Sequence, residues 1–272
     1  MRASVIMLVA LAACGQQSAP SSVEENRARP ASSQQVRSSP QPIVPAAKPF
    51  KVEEETSLYS FAYSWPAEAS AVPELVARFT KDKDETKAEL IAGAKEDRDG
   101  RLKDGYDYHA HETQKHYETE GQSERLLSLE SNVYAFTGGA HGSSGSGSLL
   151  WDRELKREIS IQDLLQPGQS WTGAIRQPFC ILLNREREKR REEPVKPDDL
   201  FGNCPEWKEL TVLVTDTDKN GRFDHITVIA DQYVAGPYAE GDYEITLPIT
   251  ATMIDRLKPE YRSSFEPRPP VE

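Results

Sequence analysis

The stretch 134-YAFTGGAHGSSGSGSLLWD-152 decides how this chain folds. Its ends, Tyr134-Ala-Phe136 and Leu149-Leu-Trp151, suit strands, while its middle is glycine, serine and one histidine. A hydrolase elbow would place a nucleophilic serine here, but it needs G-x-S-x-G between a strand and a helix. Ser143, Ser144 and Ser146 never stand between glycines at that spacing, and the run leads into another short strand. Catalysis by His141 with a serine is therefore disfavoured. The reading is a loop over 138–147, with Gly138, Gly139 and Gly142 supplying positive φ or close backbone approach.

Strand patterns flank this loop on both sides. Tyr59-Ser-Phe-Ala-Tyr-Ser-Trp65 alternates large and small residues and stops at Pro66. The periodicity from Pro73 to about Lys95 predicts a helix, ended by Asp99-Gly100. Tyr106–Tyr117 and Arg125–Thr137 read as strands joined at Glu120–Ser123. Ile159–Leu165 enters a short helix. Trp171, Ile175, Phe179, Leu182 and Leu183 mark a longer one, which Pro178 kinks or begins. The run Arg185–Glu193 continues it as a solvated face of alternating charge. Glu209–Thr215 and Phe223–Asp231 read as a hairpin, Tyr243–Leu247 as a strand and Thr250–Leu257 as a last helix. Meander order with helices between gives an α+β fold, a largely antiparallel sheet with two or three packed helices. The body is one large core or two lobes, 49–137 and 138–272.

The chain opens MRASVIMLVALAACGQ. An apolar run this short is an export signal, since a membrane span needs roughly 20 apolar residues. Leu11-Ala12-Ala13-Cys14 resembles the bacterial lipobox, which implies a signal peptide over 1–13 and a lipidated Cys14. Residues 14–48 have no aromatic residue and are rich in Ser, Gln and Pro. They should form a disordered tether with a reach on the order of 30 Å. In an envelope with two membranes, Gly15 after the cysteine fits sorting to the outer membrane, facing the periplasm.

Two cysteines remain, Cys180 and Cys204, and an even pair in an exported protein reads as a disulfide. It would contribute about 3 kcal/mol on the chain-entropy model. The chain carries −11; Arg2 contributes +1 and the tether +2 (Arg27, Arg29, Arg37 and Lys48 against Glu24 and Glu25), so the body carries −14. That charge disfavours nucleic acid and steers cationic partners.

Asp216-Thr-Asp218-Lys-Asn220-Gly-Arg-Phe-Asp224 matches the first nine positions of a calcium loop. Position twelve is Thr227 instead of glutamate, and the flanks read as strands. Calcium at Asp216, Asp218, Asn220 and Asp224 stands against a polar hairpin turn. His109 and His111 would share one strand face, as half a zinc site or as solvent-facing histidines.

The segments Tyr134–Gly142, Leu149–Asp152, Ile159–Leu165, Asp231–Gly241 and Ile245–Pro248 resemble a bacterial extracytoplasmic family. It is the paired domain of unknown function carrying catalogue numbers 4163 and 3298, found in RsiV-type anti-sigma factors and PdaC-type peptidoglycan deacetylases. The resemblance spans about residues 56–260. It implies a domain outside the cytoplasm, a structural GGAHG motif, and a lysozyme-like cationic partner. In PdaC-type proteins the deacetylase chemistry sits in a separate domain with no counterpart here, and nothing resembles the anti-sigma membrane helix. The stretch around Cys180–Cys204 and the Asp216–Asp224 loop depart from the family pattern. The expected function is a lipid-anchored, non-catalytic envelope module binding a basic protein or peptidoglycan, with Tyr233, Tyr238, Glu240 and His141 as the lead surface. The alternative is a small peptidoglycan hydrolase using His141 or a metal.

Overall fold

A computed structural model describes residues 47–270. The expected signal peptide, Cys14 and nearly all of the tether lie outside the described residues. Along the chain run β1 (Phe50–Glu55), β2 (Tyr59–Trp65), α1 (Ala67–Ser70), α2 (Pro73–Asp104), β3 (His111–Gln122), β4 (Leu126–Phe136), β5 (Ser143–Asp152) and β6 (Arg157–Ile159). Then come α3 (Thr172–Arg191), β7 (Thr211–Thr215), β8 (His225–Ala230), β9 (Tyr243–Pro248) and α4 (Ala251–Asp255). β1 to β6 form a six-stranded sheet in sequence order, and β7 to β9 form a three-stranded antiparallel sheet. The α+β class holds, and the larger sheet is antiparallel except between β2 and β3. That parallel pair needs a crossover, which α1 and α2 supply.

The alternation of β2 buries Phe61, Tyr63 and Trp65 on one face. There they meet Leu75 and Phe79 of α2, and Leu127, Leu129, Leu149 and Trp151 of β4 and β5. Phe79 stacks on Tyr117 with ring centroids 4.1 Å apart. Full burial of a side chain such as Phe79 contributes about 2–3 kcal/mol. A second cluster joins α3 (Ile175, Phe179, Leu183) to the inner face of the small sheet (Val212, Val228, Ile245). The expected lobe boundary at 137/138 runs between β4 and β5, which are paired along their length. The change of sheet comes after β6.

Gly121 seats the small sheet on the large one. It lies at a register shift in β3, and a Cβ there would stand 2.7 Å from the Asp216 Cβ. The missing side chain lets the end of β7 reach β3, where the Asp216 amide donates to the Glu120 carbonyl at 2.9 Å.

Four local expectations are corrected. α2 continues through Gly100 to a left-handed cap at Gly105. Its last turns are anchored by Asp97 to His111 and by Arg101 to the Gly138 carbonyl, which outweighs the weak helix propensity of one glycine. The loop expected over 138–147 is shorter, because Ser143–Gly147 pairs with β4 as part of β5. A long paired neighbour overrides poor strand propensity. α3 starts at Thr172 and runs through Pro178, so of the two expected roles the proline does not mark the start. The charged run after it is not wholly solvated, since Arg187 is fully buried.

Candidate functional site

Among the described residues, helices cover one face of the large sheet and leave most of the other open. Strand register lays out rows across that open face. One row is Lys51, Ser64, His116, Asn132 and Ser146; the next is Glu53, Ala62, Gln114, Tyr134 and Ser144. A third holds Glu55, Ser60 and Glu112, and a fourth Glu118, Glu130 and Ser148. Glu53, Glu55, Glu112, Glu118 and Glu130 therefore share a face on which Lys51 is the only Lys or Arg from β1 to β5; Lys115 of β3 has the opposite parity and pairs with Asp82 on the other face. The Lys51 ammonium is already 2.7 Å from Glu53. Across the middle row the Ser64 hydroxyl lies 2.9 Å from Nδ1 of His116.

Where the small sheet meets this face, carboxylates crowd together. Glu118 and Glu130 sit directly opposite on β3 and β4, and like charges so placed repel. Burial, then the charge of Glu120, then those of Glu244 and Glu118 push the Glu130 carboxyl up to about 7, against a lowering hydrogen bond from Asn132. Burial first, then Glu244 and Glu118, also raise Glu120. None of these four carboxylates has a Lys, Arg or His within salt-bridge distance among the described residues.

The opening stretch borders the same face. A Cβ on Gly142 would fall 2.4 Å from the Tyr134 ring, so only glycine lets the turn lie on that tyrosine. His141 stacks on Tyr238 with centroids 4.1 Å apart, and its Nδ1 lies 2.8 Å from the Gly142 carbonyl. Tyr233, exposed and at φ 69°, leans toward Tyr238 at 6.0 Å. Between this loop and the sheet lies a groove of about 240 Å³ lined by Gln114, His116, Asn132, Asp231 and Asp242. Asp231 accepts from the Ser146 amide at 3.0 Å and from its hydroxyl at 2.7 Å, which ties loop to sheet.

Three of the four expected binding residues thus come together: His141, Tyr233 and Tyr238. Glu240 points elsewhere. Arg191 donates to both its oxygens at 2.9 Å, and the Tyr243 hydroxyl bonds it as well. Burial opposes ionisation of Glu240, but Arg191 and Tyr243 prevail and lower its carboxyl. Arg190 donates to the Glu240 and Asp242 carbonyls at 2.7 Å and lies over the Tyr243 ring at 4.0 Å. Arg187 donates from Nε to the Ala235 carbonyl at 2.8 Å. The α3 arginines are a clamp on residues 235–242.

The Asp216–Asp224 loop is arranged by its own chain. The Asp216 carboxylate accepts from the Asn220 amide at 3.2 Å and the Gly221 amide at 2.8 Å. Asp218, Asp224 and Glu266 bring carboxylate oxygens within 4.8 Å of one another. Arg268 reaches all three, at 2.8 Å for Asp224, 2.9 Å for Glu266 and closer for Asp218. Asn220 donates to Glu266 at 3.0 Å instead of turning inward. Asp224 is buried, yet hydrogen bonds from Thr217, His225 and Arg268 hold its carboxyl well below the usual range. The expected calcium residues therefore divide: Asp216 and Asn220 shape the turn, and Asp218 and Asp224 surround a guanidinium. His109 precedes β3 and is exposed, while His111 is buried 3.2 Å from Asp97, so they form no pair on one face. The disulfide joins Cys180 and Cys204, with Cα atoms 5.6 Å apart.

Fold and site together define an α+β domain with a carboxylate-rich open sheet face, framed by an aromatic loop. Residues 52–144 match the family model described as deacetylase PdaC, so the family resemblance is shown over β1 to the start of β5, the strands that carry most of that face. Among solved structures, a DUF3298 family protein from Pseudomonas aeruginosa PAO1 is similar at 19% identity and TM-score 0.49, covering 82% of this chain and 98% of that one. A DUF3298 family member from Bacteroides fragilis NCTC 9343 is similar at 15% identity and TM-score 0.45, covering 80% and 95%. No curated protein matches. The PdaC-type match fits an extracytoplasmic setting, and no helix among the described residues is long and apolar enough to cross a membrane.

The sequence reading missed the open-face carboxylates. Glu112, Glu118 and Glu130 sit at alternate positions among other polar residues, and only strand register reveals their common face. The parity of Glu112, Gln114, His116 and Glu118 was the available signal.

Proposed function

We propose that this protein is a lipid-anchored, non-catalytic binding module of the cell envelope, held at the outer membrane facing the periplasm, whose open sheet face docks a cationic protein of the lysozyme type. One observation carries the reading: among the described residues, five glutamates on β1 to β4 share that face with a single lysine, and the carboxylates at its inner edge have no cationic partner. Unpaired like charges cost stability in the free protein, and a basic surface laid on them removes that cost. The exposed Tyr233 and the stacked Tyr238 and His141 supply an aromatic rim. His141 bonds its own neighbour's carbonyl and, among the described residues, no serine or carboxylate, which supports a framing role over a catalytic one.

The test is titration calorimetry with hen lysozyme from about 50 mM to about 500 mM salt, a range that screens exposed charges. Charge reversal of Glu112 and Glu118 should weaken binding roughly tenfold or more. Reversal of Glu85 and Glu89, exposed on α2, should leave it near wild type. Binding that ignores salt, or that responds equally to both pairs, removes the reading.

A further inference from the structure

The aromatic loop is held by a segment that its own disulfide holds in turn. Arg187 lies at the centre. Its Nε donates to the Ala235 carbonyl at 2.8 Å, and its Nη1 to the Asn203 carbonyl and to Asn184 Oδ1, each at 3.1 Å. Its Nη2 is buried without an acceptor. A buried guanidinium already short of one partner tolerates the loss of another poorly. Asn203 neighbours Cys204, which is bonded to Cys180 two turns before Arg187 on the same helix. A continuous chain of contacts thus runs from Cys180–Cys204 through Asn203 and Arg187 to Ala235, midway between Tyr233 and Tyr238.

We infer that the Cys180–Cys204 disulfide is a redox gate on the aromatic loop, with Arg187 as the positioning residue that couples them. The reductant is a dithiol. Its two thiols are oxidised to a disulfide, the Cys180–Cys204 bond breaks, and each cysteine sulfur takes up one electron and one proton. Both cysteines are half-buried and so within reach of solvent on small movements. Once the bond opens, residues 192–206 lose their covalent hold on α3. The Asn203 carbonyl then leaves Arg187, and the guanidinium, now short of two partners, leaves Ala235 to find water. The bonds of Arg190 and Arg191 to Glu240 and Asp242 remain, and only the long 3.4 Å bond from Arg191 Nη2 still holds the Ala235 carbonyl, so the loop loosens at its 233–236 end first. The inference rests on the binding reading only in that this loop rims the docking face.

Amide hydrogen exchange on the full-length protein tests it without any ligand, so its failure is separable from failure of lysozyme binding. The reporters are the Tyr233 and Val234 amides, bonded to the Gly236 and Asp231 carbonyls. Dithiothreitol, the Cys180→Ser/Cys204→Ser pair, and Arg187→Met should each speed their exchange about tenfold or more, leaving β7 to β9 unchanged. Combining the cysteine pair with Arg187→Met should add nothing further, because both break one chain of contacts. Should Arg187→Met fail to fold, Asn184→Ala takes its place: removing the other Nη1 acceptor should make the loop respond more to dithiothreitol than wild type does. Unchanged exchange at Tyr233 and Val234 after reduction, or effects that multiply when combined, overturns the inference. So does an Asn184→Ala protein no more sensitive than wild type.

Discussion

Two groups of carboxylates in this molecule use the same residue types to opposite ends. Around Asp218, Asp224 and Glu266 the chain supplies its own cation, and Arg268 reaches every member. Around Glu118, Glu120, Glu130 and Glu244 the described residues supply none within salt-bridge distance. The pKa directions follow: Asp224 is driven down although buried, and Glu130 is driven up. A carboxylate neutralised from within is a fastening. One left without a counter-ion is stored repulsion, which an external cation relieves. Acidic composition alone does not tell these apart; the position of the arginine does.

The sharpest way to break this contrast is to remove its tightest member. Asp224→Ala strips acceptors from the Thr217 amide and hydroxyl and from Arg268, and should cost about 3–5 kcal/mol in urea unfolding at neutral pH. The sign with pH follows from the lowered carboxyl. Its stabilisation is complete above the unfolded pKa, near 4, and is lost as pH falls through the lower folded value. The gap between wild type and variant should therefore close only in acid.

Glu130→Gln should do the reverse. With its carboxyl raised to about 7 in the fold, Glu130 contributes stability below the unfolded pKa, near 4, and loses it as pH rises through 7. The glutamine variant should match wild type near pH 4 and exceed it by about 1–2 kcal/mol near pH 8. A variant less stable than wild type at pH 8 would mean that the cluster is internally compensated after all. A smaller gain, about 0.5 kcal/mol at pH 8, is expected for Glu118→Gln, because it removes one of two facing charges and Glu118 itself is exposed.

How much of this was readable beforehand divides along the same line. β2 was legible because its large residues all fall on one parity, and the disulfide because two cysteines remain once Cys14 is assigned to the expected lipobox. β1 was not, since Glu53-Glu-Glu55 hides the alternation of Phe50, Val52 and Glu54. The Ser/Gly half of β5 had no strand signal of its own and pairs because β4 lies beside it. Arg187 was invisible inside a run of like residues: nothing local distinguishes it from Arg185, which is exposed. The DxDxNG pattern gave the turn correctly, but Arg268 arrives from 44 residues beyond Asp224. Local chemistry is written in the sequence at short range; what neutralises it, or leaves it bare, comes from tertiary neighbours.

That lesson sets the smallest expected effect and makes it informative. Adding about 5 mM calcium, in the range of weak extracellular sites, should leave the thermal midpoint of the wild-type protein unchanged, because Arg268 already lies among the three carboxylates. Arg268→Ala removes the guanidinium and leaves Asp218, Asp224 and Glu266 converging with no counter-ion. Calcium should then raise the midpoint of the variant by about 2 °C or more, through preferential binding to the folded state. A calcium response in wild type would show that the ion displaces the arginine, and the fastening would then share the openness of the sheet face. No response in either protein would show that three converging carboxylates without the arginine still fall short of a calcium site, leaving the guanidinium as the ligand this turn is shaped to hold.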